Sequence, residues 1–256
     1  PSQAAELLHG LLSRLSPPDR LVLTLMYFED CSTEQIAQRM SWTRGMVKMR
    51  AMRARKKLKA LAEQLGSLIG QLSHGELSQI NIEVSGAAAE LNIKPITAAV
   101  LAGFMRRFSD AVNMVNAPFL AKERGMDVRE IRRDREGDYH TLVRVSVKTD
   151  IGERSVAGTL FGNSTPRLVE LFGVKVEADL EGDMLYIVNQ DAPGFIGQLG
   201  TTLGEAAINI GTFHLGRQEA GGVAVVLLSV DTAVPADVLE TIHNLPGVKR
   251  AMALRF

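Results

Sequence analysis

The stretch Met184-Leu-Tyr-Ile-Val-Asn-Gln-Asp191-Ala-Pro-Gly-Phe-Ile-Gly197, with Ile208-Asn-Ile210 behind it, decides how the C-terminal part of this chain is read. Met184–Val188 is an apolar, strand-like run. Phe195-Ile196, Leu199, Leu203 and Ala206-Ala207 then recur at helical spacing. The chain therefore leaves a strand, turns at Pro193-Gly194, and enters a helix that ends near Ile208. An acid and free backbone N–H groups at such a turn can hold a small zwitterion, the acid taking its ammonium and the amides its carboxylate. Gly194, Gly197 and Gly200 form GxxGxxG, not the GxGxxG of a dinucleotide site. Glu219, the acid about 20 positions on, lies in a loop-like Glu-Ala-Gly-Gly and not at a strand end. A structural turn, its glycines allowing close helix–sheet packing, stays open beside ligand binding.

Downstream, Thr212–Leu215 and Val223–Val230 read as strands joined by a Gly221-Gly222 turn. Pro235 opens a short helix through His243, and Pro246-Gly247 leads to a last strand, Val248–Leu254. The order is βαββαβ, a ferredoxin-like pattern. With the turn motif, residues 181–256 resemble an ACT domain, the regulatory module of many amino-acid biosynthetic enzymes.

Further upstream come Leu61-Ala-Glu-Gln-Leu-Gly-Ser-Leu-Ile-Gly-Gln-Leu72, Glu90-Leu-Asn-Ile-Lys-Pro95, Asn113-Met-Val-Asn-Ala-Pro118, Ala121-Lys-Glu-Arg-Gly125 and Glu153-Arg-Ser-Val-Ala-Gly-Thr-Leu160. With Asp191-Ala-Pro-Gly194, these segments resemble the C-terminal regulatory half of bacterial D-3-phosphoglycerate dehydrogenase. The resemblance implies an allosteric-substrate-binding-like domain over 61–180, followed by the ACT domain, with L-serine as effector. Over 76–180 the residues themselves read as an α+β domain. Strands are expected at Ile80–Val84, Leu142–Val147 and Ser155–Phe161, and helices near 96–108 and 114–125. Carried over by position, the effector turn is Asp191, Pro193 and Gly194. Asn209 comes from a neighbouring subunit across paired ACT domains, and Asn189 stands at a variable polar position. Arg167 matches a basic position of a second, anionic site and Lys175 lies near another, but Asp179 and Ser229 replace expected arginines. A phosphoglycerate dehydrogenase also needs a nucleotide-binding βαβ unit and an Arg, Glu, His set, and neither is found in this sequence. His9, His74, His140, His214 and His243 show no metal or triad spacing. No catalytic residue, metal or cofactor is expected.

The first sixty residues differ. Leu15–Met26, with Ser16 as a cap and prolines at its start, reads as an amphipathic helix, and Ser32–Met40 as a second. After Ser41-Trp42-Thr43 comes Arg44–Leu58, in the recognition position of a helix-turn-helix. Leu15-Ser16, Arg20, Ile36-Ala37, Val47-Lys48, Arg50 and Arg53-Ala54-Arg55 resemble region four of extracytoplasmic-function sigma factors. Met46 and Met49 stand where that family favours small hydroxyl residues. From Arg44 to Lys59 there are eight Lys/Arg and no Asp/Glu, in a chain of formal net charge +0. Such a basic stripe is the electrostatic footprint for nucleic-acid phosphates. The resemblance directs Thr43, Arg44, Lys48 and Arg50 to base edges and Arg53, Arg55 and Lys56 mostly to phosphates of double-stranded DNA.

Residues 1–60 and the regulatory part join without a linker. Val47, Ala51, Ala54, Leu58, Leu61, Leu65, Leu68 and Leu72 alternate at spacings of four and three across the junction. Packing on both neighbouring domains is the expected use of that stripe, and a dimeric coiled coil the sharper one, with Gly66 and Gly70 weakening the helix. A chain of 256 residues with 46% hydrophobic content has room for two or three domains. One cysteine, Cys31, and no apolar run of transmembrane length fit a reducing cytoplasm. The start at Pro1 without methionine reads as a fragment or processed product, and the joining of the two parts as a natural fusion, an engineered graft or mis-joined reading frames. The expected architecture is α+β: an all-α helix-turn-helix over 1–60, then the α+β domain, then the βαββαβ ACT domain. The leading functional expectation is a non-catalytic, homo-oligomeric regulator that senses a small amino acid and binds DNA. Its rivals are the regulatory portion of a dehydrogenase without a DNA role, and an oligomerisation module with neither site occupied.

Overall fold

The computed structural model describes residues 37–38, 43–86, 88–89, 91–133, 139, 141–161 and 165–256. The two expected helices over 15–26 and 32–40 lie outside the described residues, apart from the helical pair Ala37-Gln38. Helix α1 spans Arg44–Leu72 without a break. Thr43 caps it, its side chain accepting the Met46 N–H, as an N-cap threonine does. The helix therefore crosses the junction at residue 60 as one rod of 29 residues, about 44 Å long at 1.5 Å per residue.

After α1 come β1 (Leu77–Gly86), α2 (Lys94–Met105), α3 (Ala117–Glu123), β2 (Asp127–Arg133), β3 (Thr141–Thr149), β4 (Gly152–Phe161), β5 (Thr165–Leu171) and β6 (Val174–Ala178). They form a six-stranded sheet in the order β2-β1-β3-β4-β5-β6. Only β1 and β2 are parallel, because α2 and α3 supply the crossover between them. Alternation sorts the sheet's two faces. Ile80, Ile82, Val84, Val143, Val145, Val147 and Val156 are buried beneath α1 and α2.

The apolar stripe of α1 goes into this core: Leu58, Leu61, Leu65, Leu68 and Leu72 are each at most 2% exposed. Burying each leucine contributes about 2 kcal/mol. A coiled coil built on these five leucines is thereby excluded, since their own domain covers them. The glycines in α1 are points of close approach. A Cβ on Gly66 would stand 2.1 Å from the Val100 carbonyl oxygen of α2, and one on Gly103 2.0 Å from the Glu63 oxygen of α1. These positions admit only glycine, and what they cost in helix propensity lets the two helices pack backbone to backbone.

The C-terminal part follows as β7 (Asp183–Gln190), α4 (Phe195–Glu205), β8 (Ile210–Arg217), β9 (Val223–Val230), α5 (Ala236–His243) and β10 (Val248–Arg255). Its antiparallel sheet runs β10-β7-β9-β8, the ferredoxin-like arrangement. Leu185, Ile187, Val226 and Leu228 face α4 and α5, with Phe195, Leu199, Leu203 and Ile242 packed on them. The alternate residues Met184, Tyr186, Val225, Leu227 and Leu254 belong instead to the core that holds α1. Polar bonds fasten the seam between the two sheets. Gln71 of α1 bonds both the N–H and the carbonyl of Arg255 on β10, each at 3.0 Å, and Gln64 donates to the Leu180 carbonyl at 2.9 Å.

Three strands of the middle region were not foreseen. β2 is an edge strand, Asp127-Val-Arg-Glu-Ile-Arg-Arg133, mostly exposed and without apolar alternation. It is held by its pairing to β1, by Thr97 donating to Glu130 at 2.6 Å, and by Arg133 on Glu83. β5 carries Pro166 at its start, and β6 is only 5 residues long.

Candidate functional site

The turn after β7 is built by local rules. Pro193 restrains the backbone ahead of Gly194, which takes φ +93° as the N-cap of α4 with no side-chain cap. A Cβ at Gly194 would meet nothing within 4 Å, so the glycine is required by conformation and not by space. Gln198 N–H donates to the Gly194 carbonyl at 3.0 Å. The amides of Phe195, Ile196 and Gly197 therefore precede the helical ladder and, among the described residues, have no acceptor. The turn is tied down on both sides. Asp191 N–H donates to the Gly222 carbonyl and Gln190 N–H to the Gly247 carbonyl, each at 2.8 Å.

Asp191 is 20% exposed in its side chain and already holds two donors. Both fall on Oδ2: the Arg217 Nη1 at 2.5 Å and the Gly221 N–H at 3.0 Å. The Gly221 N–H first, then the Arg217 guanidinium, hold its carboxyl below the usual carboxylate range. Behind it, Asn189 is 1% exposed and its Nδ2 donates to the Gln190 carbonyl at 2.8 Å. Its Oδ1 is buried and, among the described residues, has no partner. A buried acceptor left unpaired is costly, and a bound N–H or O–H would satisfy it.

Asn189, Asp191, Pro193 and Gly194 thus converge at the C-terminal end of β7. Asn209 does not join them. It stands beyond the far end of the 11-residue α4, about 16 Å along the helix, and donates to Asp231 at 2.8 Å. Arg217 was missed in the sequence. It ends the second strand of the βαββαβ unit, and only the register of the folded sheet puts it in one row with Ala224 and Asn189. The small Ala224 between them lets the arginine reach Asp191. The glycines of α4 also turned out differently. A Cβ on Gly197, Gly200 or Gly204 meets nothing within 4 Å, so close packing on the sheet is not why they are there.

Arg167, expected at a second, anionic site, is paired with Asp179. The carboxylate standing where an arginine was expected neutralises it. His214 lies beside this pair, its Nε2 buried and without a partner among the described residues, and burial first, then Arg167, push it below the ordinary imidazole range. Lys175 is exposed on β6. Among the described residues, no group of three or more His, Cys, Asp and Glu is placed to hold a metal. No helix there is long and apolar enough to cross a membrane.

Of the residues expected to meet DNA, Thr43 spends its side-chain oxygen on the helix cap. Arg44, Lys48 and Arg50 lie on α1, where only their helical backbone is described. Arg53, Arg55 and Lys56 are exposed. Met46, Met49 and Met52 are exposed between them, at 42%, 46% and 63%. Arg55, Leu58 and Lys59 line a groove of about 430 Å³ against Leu91, Asn92 and Pro95.

Comparison with known proteins divides the chain in the same order. Residues 56–172 match the D-3-phosphoglycerate dehydrogenase intervening domain, 184–247 the ACT domain, and 5–58 sigma-70 region 4. The sigma-type and intervening-domain matches meet inside α1. The chain is similar to D-3-phosphoglycerate dehydrogenase of Bacillus subtilis, 34% identical over 189 residues, 73% of this chain and 36% of that protein. It is 34% identical over 190 residues to the enzyme of Methanocaldococcus jannaschii, 74% of this chain and 36% of that one. The Synechocystis enzyme is 32% identical over 197 residues, 76% of this chain and 36% of its own. The chain spans about a third of the length of these curated relatives.

Proposed function

We propose that this chain, which carries the intervening domain of D-3-phosphoglycerate dehydrogenase, an ACT domain and a sigma-70 region 4 segment, is a regulatory unit of that dehydrogenase type that responds to a small amino acid. The observation that carries the reading is the convergence at the end of β7. An ionised Asp191, the unpaired buried Oδ1 of Asn189 and the free first-turn amides of α4 all lie at one turn. An α-ammonium is recognised by the acid and an α-carboxylate by helix N-terminal amides. L-Serine is the effector that the family resemblance favours. The unit regulates and does not itself oxidise a substrate.

The site is completed by a second copy. Asn209 is too far from Asp191 within one chain to share a ligand with it. The open faces of Gly197, Gly200 and Gly204 leave α4 able to approach another backbone closely. Calorimetric titration with L-serine tests the reading, with glycine and L-phenylalanine as controls and Asp191→Ala as the variant. Serine heat that is lost in the variant supports it. No heat with any of the three sinks it.

A second reading adds DNA. It is favoured by α1, whose exposed Arg53, Arg55 and Lys56 belong to the same rod that is buried from Leu58 onward and bonded to β10 through Gln71. Effector binding would then alter the placement of a DNA-binding head, and DNA and serine would change each other's affinity by the same factor. Fluorescence anisotropy with a labelled duplex, with and without saturating serine, decides it. Equal affinities would leave the basic helix without a regulated DNA role.

A further inference from the structure

The proposed site contains a cation that neither the sequence reading nor the family match assigned. Arg217 is 51% exposed in its side chain and stretches over Ala224 to Asp191. Only its Nη1 is used. Among the described residues, its Nε and Nη2 have no acceptor, and the Oδ1 of Asp191 has no donor. The pair is therefore half-finished: one carboxylate oxygen and two guanidinium nitrogens remain at the turn that leads into α4.

We propose that Arg217 and Asp191 together form a preset zwitterion receptor, in which Arg217 takes the α-carboxylate of the ligand while Asp191 takes its α-ammonium. This rests on the amino-acid reading of the same turn and says which ligands it admits. The pair has no net charge. A ligand with an ammonium alone places it beside the guanidinium, and a ligand with a carboxylate alone places it beside Asp191. Each arrangement leaves one like-charge contact and one unsatisfied partner. A zwitterion satisfies both at once, through charge-assisted hydrogen bonds. The rival role for Arg217 is a plug that occupies Asp191 and must be displaced, and it predicts the opposite sign on removal.

The full chain is titrated with L-serine, with ethanolamine, which is serine without its carboxylate, and with 3-hydroxypropionate, which is serine without its ammonium. Arg217→Gln and Arg217→Lys are compared with the unmodified protein, with thermal unfolding as a check on folding. The expected result is heat with serine alone, binding weakened about ten- to hundredfold in Arg217→Gln, and partial recovery in Arg217→Lys, which keeps the charge but not the fork. Arg217→Gln binding serine as well as the unmodified chain, or more tightly, overturns the receptor and leaves the amino-acid site standing. Binding of ethanolamine as strong as that of serine also overturns it. If the unmodified chain gives no heat with serine, glycine or L-phenylalanine, both this inference and the amino-acid reading fall.

Discussion

Two arginines in this molecule make the same reach and arrive at different ends. In the six-stranded sheet, Arg144 crosses the strand beside it, over Ala157, and meets Glu170 with both Nη atoms, at 2.5 and 2.9 Å. In the ACT sheet, Arg217 crosses over Ala224 and meets Asp191 with one. The first pair is closed: fork meets fork, both side chains are less than a third exposed, and neither Glu170 oxygen is left over. The second is open, standing at a turn with one carboxylate oxygen unused. A carboxylate bound on both oxygens holds structure. One bound on a single oxygen, at a helix N-terminus, can still bind something else.

The six-stranded sheet that carries the first pair is disturbed most strongly through the helices packed on its other face. Gly103→Ala drives a Cβ to 2.0 Å from the Glu63 oxygen and forces α1 and α2 apart on the other face of that sheet. A loss of about 3 kcal/mol is expected by equilibrium denaturation. The helix side of the ACT domain is a separate core cluster, so serine binding should survive below the unfolding transition. Arg144→Ala leaves Glu170 without its cation and should cost about 2 kcal/mol in the same experiment, with the serine titration unchanged. Asp191→Asn should do the reverse: serine binding falls by an order of magnitude or more while the unfolding midpoint barely moves, because the Arg217 end of the pair is half exposed and an asparagine oxygen can still accept the Gly221 N–H.

Acid sharpens the contrast. Donors from Gly221 and Arg217 depress the Asp191 pKa in the folded chain. Its charge-dependent contribution is therefore complete above the ordinary carboxylate pKa of about 3.9 and is lost as pH falls through the lower folded value. Serine binding should persist at pH values near 4, where an unperturbed carboxylate is half protonated. In Arg217→Gln its loss should begin at a higher pH, since one of the two donors is gone. The smallest effect is expected from Gly200→Leu. Its Cβ enters open space, so folding should be little affected, while sedimentation should show weakened pairing of copies if α4 approaches its counterpart there.

Much of this protein could be read before its structure. The βαββαβ order, the turn at Pro193-Gly194 and the unbroken helix through Leu72 follow from short-range signals: periodicity, capping and the conformational freedom of glycine. Those signals act over a few residues, and a sequence displays them directly. The strands β2, β5 and β6 were not legible. They are short, charged or proline-bearing, and neighbours distant in the chain hold them in place. The same holds for Gly66 and Gly103, which look like helix weaknesses until each is seen against the backbone of the other helix. Four of the five effector positions could be placed together from the sequence, because one strand and one turn carry them. Arg217, 26 residues after Asp191, could not. Its meeting with the acid depends on strand order and on a small residue in the row between them, and only the folded sheet supplies both.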